Sequence, residues 1–244
     1  MKSWDVIIAG AGIIGVSLAL ELRERGLTVL VLDRGEPGGE ASSAAAGMLA
    51  PADPETHAAL RPMAFASARM FPEFVRKLET AGNMQVDFRR VGAIALLHDA
   101  PAPAEYRSLS PDELQRLEPS LKSSGQSAFF VQEDSVDPFL LMQAALAAAR
   151  NLGVEIRGHA AVTDIRPRGD AVEVVTEADT LTARCAVDCR GAWSGSPVKP
   201  RKGQMLYVQP RTAVLQHVLR APDVYLVPRS SGKVLIGATV EDVG

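Results

Sequence analysis

Cysteine is scarce in this chain of 244 residues, with only Cys185 and Cys189 present. Their spacing fits neither a C-x-x-C redox pair nor a zinc site, so neither a disulfide framework nor a thiolate metal centre organises the fold. Equal parity on a predicted strand places both in a core, which is compatible with a reducing compartment. Histidine is also sparse. His57, His98, His159 and His217 lie near no cysteine or acidic cluster at ligand spacing, and no metal site is expected. Long apolar runs are missing too. The run from Val6 to Leu20 is shorter than the about 20 residues a spanning helix needs. Although Lys2 precedes it, Asp5 opens it, Glu21 closes it and no small-residue cleavage site follows, so a signal peptide is not expected and cytoplasmic residence is. A formal net charge of -3, with basic residues clustered only at Lys199, Arg201 and Lys202, gives no drive toward nucleic acid or anionic membrane. No internal repeat, low-complexity tail, G-x-S-x-G elbow or Cys/His signature is found, and acyl transfer has no support.

What is present describes an ordinary globular chain. Hydrophobic residues make up 47% and charged residues 23%, well away from disorder. The length suits one large or two interleaved domains, and a small molecule is the expected partner.

The opening predicts a βαβ unit: a strand from Asp5 to Ala9, a turn from Gly10 to Gly15, a helix to about Arg25 stopped by Gly26, and a strand from Thr28 to Asp33. From Arg34 to Pro54 the composition shifts to Gly, Ala, Ser and Pro, which lets backbone approach a ligand closely. Ala58 to Ala81 predicts helix interrupted at Pro62 and Pro72, and Val91 to His98 a strand. Ser110-Pro111-Asp112-Glu113 predicts a capped helix start, and Asp137-Pro138 opens an alanine-rich helix that Gly153 ends. Strands are predicted at Val154 to Arg157, Ala161 to Arg166, Val172 to Thr176 and Arg184 to Asp188. Further strands follow at Gln204 to Gln209, Ala213 to Leu219, Val224 to Val227 and Lys233 to Thr239. Early βαβ character and late antiparallel character predict two domains, with the chain crossing between them more than once.

Gly10-Ala11-Gly12-Ile13-Ile14-Gly15 satisfies G-x-G-x-x-G between a predicted strand and helix. The first glycine permits the tight turn, the second lets N–H groups reach a pyrophosphate, and the third lets helix pack on strand. The helix N-terminus adds partial positive charge. Asp33, ending the second strand, is placed to accept from ribose hydroxyls. Together these describe a site for the ADP half of a dinucleotide, and they leave FAD and a nicotinamide cofactor both open.

The segment Glu40-Ala41-Ser42-Ser43-Ala44-Ala45-Ala46-Gly47-Met48-Leu49-Ala50-Pro51 resembles the one that follows the second strand in the D-amino-acid-oxidase-like family of flavin amine oxidases. Within that family it is most similar to the glycine oxidases of the thiamine pathway. Later stretches resemble the same family in the same order: Asp134 to Pro138, Cys189 to Ser194, Lys202 to Met205, and Val224 to Arg229 with Ile236 to Thr239. The resemblance implies FAD as cofactor. It implies an α/β fold in which a Rossmann-like FAD-binding domain (residues 1–82 and 135–197) interleaves with an antiparallel α+β substrate domain (83–134 and 198–244). It assigns Gly10, Gly12, Ile13, Ile14 and Gly15 to the pyrophosphate turn and Asp33 with Arg34 to the ribose. Ala41, Ser42, Ala46, Gly47, Met48 and Gly191 line the pyrophosphate and flavin, and Val162 holds adenine through its backbone. Tyr225 and Met48 are the substrate-side residues, with the Tyr225 phenol placed to hydrogen-bond a carboxylate.

The implied activity is FAD-dependent oxidation of glycine or a similar small amine to the imine or 2-oxo acid, with oxygen as acceptor and hydrogen peroxide formed. A sarcosine or D-amino-acid oxidase or dehydrogenase of the same family is the near alternative, and a non-catalytic flavin-binding fragment the distant one. A homo-oligomer is left open; neither nucleic acid nor membrane is an expected partner. The family continues past the point matched by Gly244 for a C-terminal third that carries a carboxylate-clamping arginine, so the resemblance implies a truncated chain. Two local departures are that Trp193 to Lys202 is shorter than the family segment, and that Arg190 stands where the family has a small residue.

Overall fold

The computed structural model describes residues 3–98, 102–121, 125–195 and 197–242; Lys2 and the terminal Val243 and Gly244 lie outside them. In chain order the elements begin β1 (Trp4–Ala9), α1 (Ile13–Glu24), β2 (Val29–Leu32), α2 (Ala41–Ala44), β3 (Met48–Leu49), α3 (Arg61–Gly82), β4 (Phe88–Arg89) and β5 (Ala93–Leu97). They continue with β6 (Arg107–Ser108), α4 (Pro111–Leu117), β7 (Ser127–Val131), β8 (Asp134–Val136), α5 (Pro138–Asn151), β9 (Glu155–Arg157), β10 (Val162–Arg168) and β11 (Ala171–Thr176). The last are β12 (Thr180–Asp188), β13 (Leu206–Val208), β14 (Val218–Ala221), β15 (Val224–Pro228) and β16 (Val234–Gly237). Two compact units result, Met1–Ala45 with Val75–Val86 and Pro138–Pro200, and Ala46–Phe74 with Asp87–Asp137 and Arg201–Gly244. Residues 46–74, grouped with the first region by sequence, thus pack in the second unit.

The first unit is built on a six-stranded sheet in the order β10-β11-β12-β1-β2-β9. Its right half is parallel: β1 pairs with β12 and β2, and β2 with β9. A strand covered on both faces reads as a continuous apolar run, and Val6 to Ala9 and Val29 to Leu32 are all buried for that reason. Helix α1 buries Gly15, Val16, Ala19 and Leu20, and α5 buries Ala144, Ala145, Ala148 and Ala149, small residues that allow close helix packing. On the left, β10, β11 and β12 form an antiparallel meander. Its apolar residues Val162, Val174 and Ala183 share one core cluster with Trp4, Ile7, Ala9, Leu30 and Leu32, so the meander folds back over the face of the parallel strands. Strand β12 changes neighbours near Ala183, from β11 to β1. The prediction that both cysteines are core residues is corrected here. Cys185, within β12, is exposed, and Cys189 is half-buried because it lies just past the end of β12, in the turn against Gly10.

The second unit holds a seven-stranded sheet, β13-β16-β15-β14-β5-β7-β6, and a small three-stranded one, β3-β8-β4. It is not wholly antiparallel as expected: β14 pairs with β5 in parallel. β7, next to the edge strand β6, has no counterpart among the predicted strands. The Ser110 capping box forms as predicted, with the Ser110 hydroxyl accepting from the Glu113 amide and the Glu113 carboxylate accepting from the Ser110 amide. Helix α3 is not interrupted at Pro72. Pro62 lies in its first turn, where an N–H has no intrahelical partner anyway. Pro72 removes one ladder bond, but Val75 and Leu78 beyond it are buried, and that packing carries the helix through. Among the described residues no helix is long and apolar enough to cross a membrane.

Candidate functional site

In the first unit the C-terminal ends of β1, β2 and β12 meet at a cavity of about 490 Å³, within the usual range for small-molecule sites. Its floor is the turn between β1 and α1. Gly10 has φ +106°, and a Cβ there would collide with the backbone carbonyl of Cys189. A Cβ on Gly15 would collide with the carbonyl of Gly10. The two glycines therefore let the turn press against the end of β12 while α1 presses against the turn. Gly12, Ile13 and Ile14 line the cavity, whereas Gly15 lies behind it as a packing residue.

The first turn of α1 contains no acidic side chain, so nothing within the helix answers its positive end. The Ile13 amide donates to Ser42 Oγ at 2.9 Å, an oxygen brought from α2. Asp33, after β2, accepts from the Ala11 amide at 2.7 Å through Oδ2 and from the Gly35 amide at 2.9 Å through Oδ1. A carboxylate offers about four acceptor sites, so capacity for two hydroxyl donors remains. Arg34, Ala41, Ser42, Val162, Arg190, Gly191 and Trp193 also line it. Arg34 pairs with Glu40 at 2.9 Å and its guanidinium lies 4.0 Å from the Trp193 ring centroid. Hydrogen bonds from Arg190 hold the Asp188 carboxyl below its ordinary pKa, and burial pushes the Cys189 thiol up.

These features fit the ADP half of FAD: a tight glycine turn that brings backbone to the cavity, a helix N-terminus with no acidic side chain in its first turn for the pyrophosphate, and a carboxylate with spare acceptor capacity for the ribose. Gly10 to Ile14 and Ser42 would hold the pyrophosphate, Asp33 the ribose, and Val162 the adenine.

Ala46, Gly47, Met48 and Tyr225 are in the second unit. Ala46, Met48 and Tyr225 pack against one buried cluster of Ala93, Val218, Val227 and Leu235. Tyr225, on β15, pairs with Gly237 on β16, and a Cβ at 237 would lie 2.6 Å from its ring; glycine there lets the ring lie across the neighbouring strand. The phenol donates to Met205 Sδ at 3.3 Å, a weak acceptor that a carboxylate would outcompete, and burial raises its pKa. The Ala46 to Met48 segment is braced by Arg229, which donates to the carbonyls of Ala46 and Val136 at 2.8 Å each, while the Val136 amide donates to the Gly47 carbonyl at 2.8 Å. Arg229 had entered only as part of a sequence likeness; nothing in its spacing from Ala46 signals the brace.

A sequence profile described as FAD dependent oxidoreductase, DAO, matches residues 5–244. The chain belongs to this family. Among curated relatives of this DAO-family chain, "Bifunctional protein ThiO/ThiG" of Trichormus variabilis is 33% identical over 98% of the chain, which spans 40% of that protein's length. "Glycine oxidase" of Bacillus licheniformis is 31% identical over 98% of the chain, which spans 70% of it. Among solved structures, glycine oxidase from Geobacillus kaustophilus superposes with a TM-score of 0.91 at 26% identity, covering 100% of this chain and 74% of that one. FAD is accordingly the cofactor, and the mixed α/β architecture with its Rossmann-like sheet is that of glycine oxidase.

Proposed function

We propose that the protein oxidises the amine of glycine or a similarly small amino acid to the imine, which hydrolyses to the 2-oxo acid, and that it serves thiamine thiazole biosynthesis in the cytoplasm. The cofactor half of the proposal rests on the cavity at Gly10 to Ile14, where backbone amides and Asp33 present what an ADP group needs. The substrate half rests on the likeness to proteins named glycine oxidase and on Tyr225. When bound, FAD would supply the two-electron redox chemistry for this oxidation, with oxygen as the acceptor and hydrogen peroxide as the product.

The chain's own residues bind and orient. Tyr225, kept protonated by burial, donates from its phenol to the substrate carboxylate, and Met48 lines the flavin side with an apolar surface. An apolar surround favours the uncharged amine, the form able to give up hydride, because desolvation penalises the ammonium. No side-chain base is required, so proximity and electrostatics carry the protein's share.

The test is purification of the chain with flavin, followed by peroxide assays with glycine, sarcosine and D-alanine. Peroxide from glycine at the highest kcat/KM is expected. Preference for sarcosine or D-alanine would replace the substrate, and bound flavin that no amine reduces anaerobically would overturn the enzymatic proposal. Tyr225→Phe is expected to raise the glycine KM about tenfold, the value of one hydrogen bond to a charged group.

A further inference from the structure

Val162 opens β10 and Asp188 ends β12, two strands that are not neighbours in the sheet. The Arg190 side chain joins them. Its Nε donates to Asp188 Oδ1 at 2.9 Å and one Nη to Oδ2 at 2.7 Å, a planar fork on a planar carboxylate. The other Nη donates to the Val162 carbonyl at 3.0 Å. The Arg190 amide also donates to Asp188 Oδ1 at 3.0 Å, so one carboxylate holds both backbone and head group. Both side chains are mostly shielded, 26% and 32% exposed, which strengthens charge-assisted bonds relative to a surface pair.

The ladder is irregular next to Val162, which pairs with Thr176. The β10–β11 register shifts between Val162 and Asp164, so the regular pairing that fixes Asp164 to Arg168 does not extend evenly to the strand's first residue. Yet Val162 and Arg190 both line the cavity. The bond from Arg190 adds a tie to the Val162 carbonyl that the irregular ladder does not supply.

We propose that Arg190 is a positioning residue for the adenine end of the cavity, fastening Val162 to the end of β12 so that the wall for the base is formed before a nucleotide binds. This rests on the ADP-site reading above. A formed wall lowers the ordering cost of binding, and its loss appears as weaker affinity for any ligand that carries the base.

The probe is ADP, titrated calorimetrically into the flavin-free chain, with FAD alongside. Arg190→Ala is expected to weaken ADP and FAD by the same factor, about tenfold, the value of one charge-assisted hydrogen bond. Asp188→Asn, which keeps Arg190 but loosens its fork, is expected to weaken both by about threefold and carries the test if Arg190→Ala does not fold. Arg190→Lys, a point charge without the fork, should not restore affinity. ADP affinity within twofold of the parent in both Arg190→Ala and Asp188→Asn, or loss for FAD alone, overturns the proposal. A parent chain that binds no ADP overturns the nucleotide site itself, a separate result.

Discussion

The glycine turn that floors the first unit's cavity collects its polar partners from the first 42 residues, whereas the second unit buries charged side chains drawn from far apart. Ala11, Ile13, Asp33 and Ser42 lie within one short stretch, and three of the four groups they contribute are backbone amides or a hydroxyl. In the second unit, Arg220 donates to Asp53 at 2.8 Å, to the Tyr106 hydroxyl at 2.6 Å and to Glu133 at 3.1 Å, across separations of 167, 114 and 87 residues. Arg220 and Glu133 are almost fully enclosed, with side chains 13% and 4% exposed. A site made of backbone amides needs no counter-charge to fold; a buried guanidinium between two carboxylates does.

The largest effect expected from this contrast is at Arg220. Arg220→Met leaves Glu133 and Asp53 facing each other without a cation, and breaking a buried pair in this way costs about 3–5 kcal/mol. Urea denaturation of the flavin-free chain measures it. Adding Glu133→Gln to Arg220→Met should recover part of the loss, because the two residues are coupled. A loss below about 1 kcal/mol, in the range of surface pairs, would show the cluster to be solvated and would erase the contrast.

Gly15→Ala probes the first unit in the same assay. The added Cβ meets the Gly10 carbonyl, which is backbone and cannot rotate away, so turn and helix must separate. Overpacking of this kind costs about 3 kcal/mol at its upper end. ADP affinity should fall with it, since the displaced turn is the cavity floor. Retained affinity would mean that the turn can move without reshaping the site.

This difference also explains how much of the molecule was legible in the sequence. The glycine turn, its flanking strand and helix, Asp33 and the Ser110 capping box follow rules of short range, and they stand in the structure where spacing put them. The β7 strand was missed because Ser127 to Val131 is a short apolar run without alternation, and the Ser124-Gly125 turn signal before it does not by itself separate a strand from a loop. The break expected at Pro72 did not occur because tertiary burial of Val75 and Leu78 outweighs one lost hydrogen bond. The Arg220 cluster and the Arg229 brace could not be read at all, since no local pattern marks which distant carboxylate or carbonyl an arginine will meet. Arg190 lies between: Asp188 two residues before it was a visible cue for the fork, but the bond to Val162 depends on how the meander folds back.

Glu133 turns the buried cluster into a pH dependence. Burial raises its pKa from 4.5 to about 7, helped by Asp53 and opposed by Arg220. Below the ordinary value the carboxyl is neutral in both folded and unfolded chains, and no penalty exists. As pH rises from 4.5 toward 7 the unfolded chain ionises freely while the folded chain resists, so the unfolded state binds fewer protons and stability falls until the pH passes about 7. Between pH 5.5 and 7.5 the expected decline is about 2 kcal/mol, from about 1.4 kcal/mol per pH unit. Glu133→Gln should flatten it. A stability that rises over this range in the parent chain would mean that Arg220 outweighs burial.

The smallest effect is expected at Arg34, which lines the cavity as Arg190 does but is held differently. Its partner Glu40 is 60% exposed and its contact with Trp193 lies at the surface. An exposed ion pair contributes about 0.2–1 kcal/mol and an exposed cation–π contact about 0.5–1 kcal/mol, and the two are not additive on one side chain. Arg34→Ala should therefore lower stability by less than about 1 kcal/mol, and high salt should remove most of the difference. Its ADP affinity should change less than that of Arg190→Ala, because Arg34 constrains no backbone group of the cavity. An equal loss for both variants would show that positive charge at the rim, and not the fastening of Val162, governs binding.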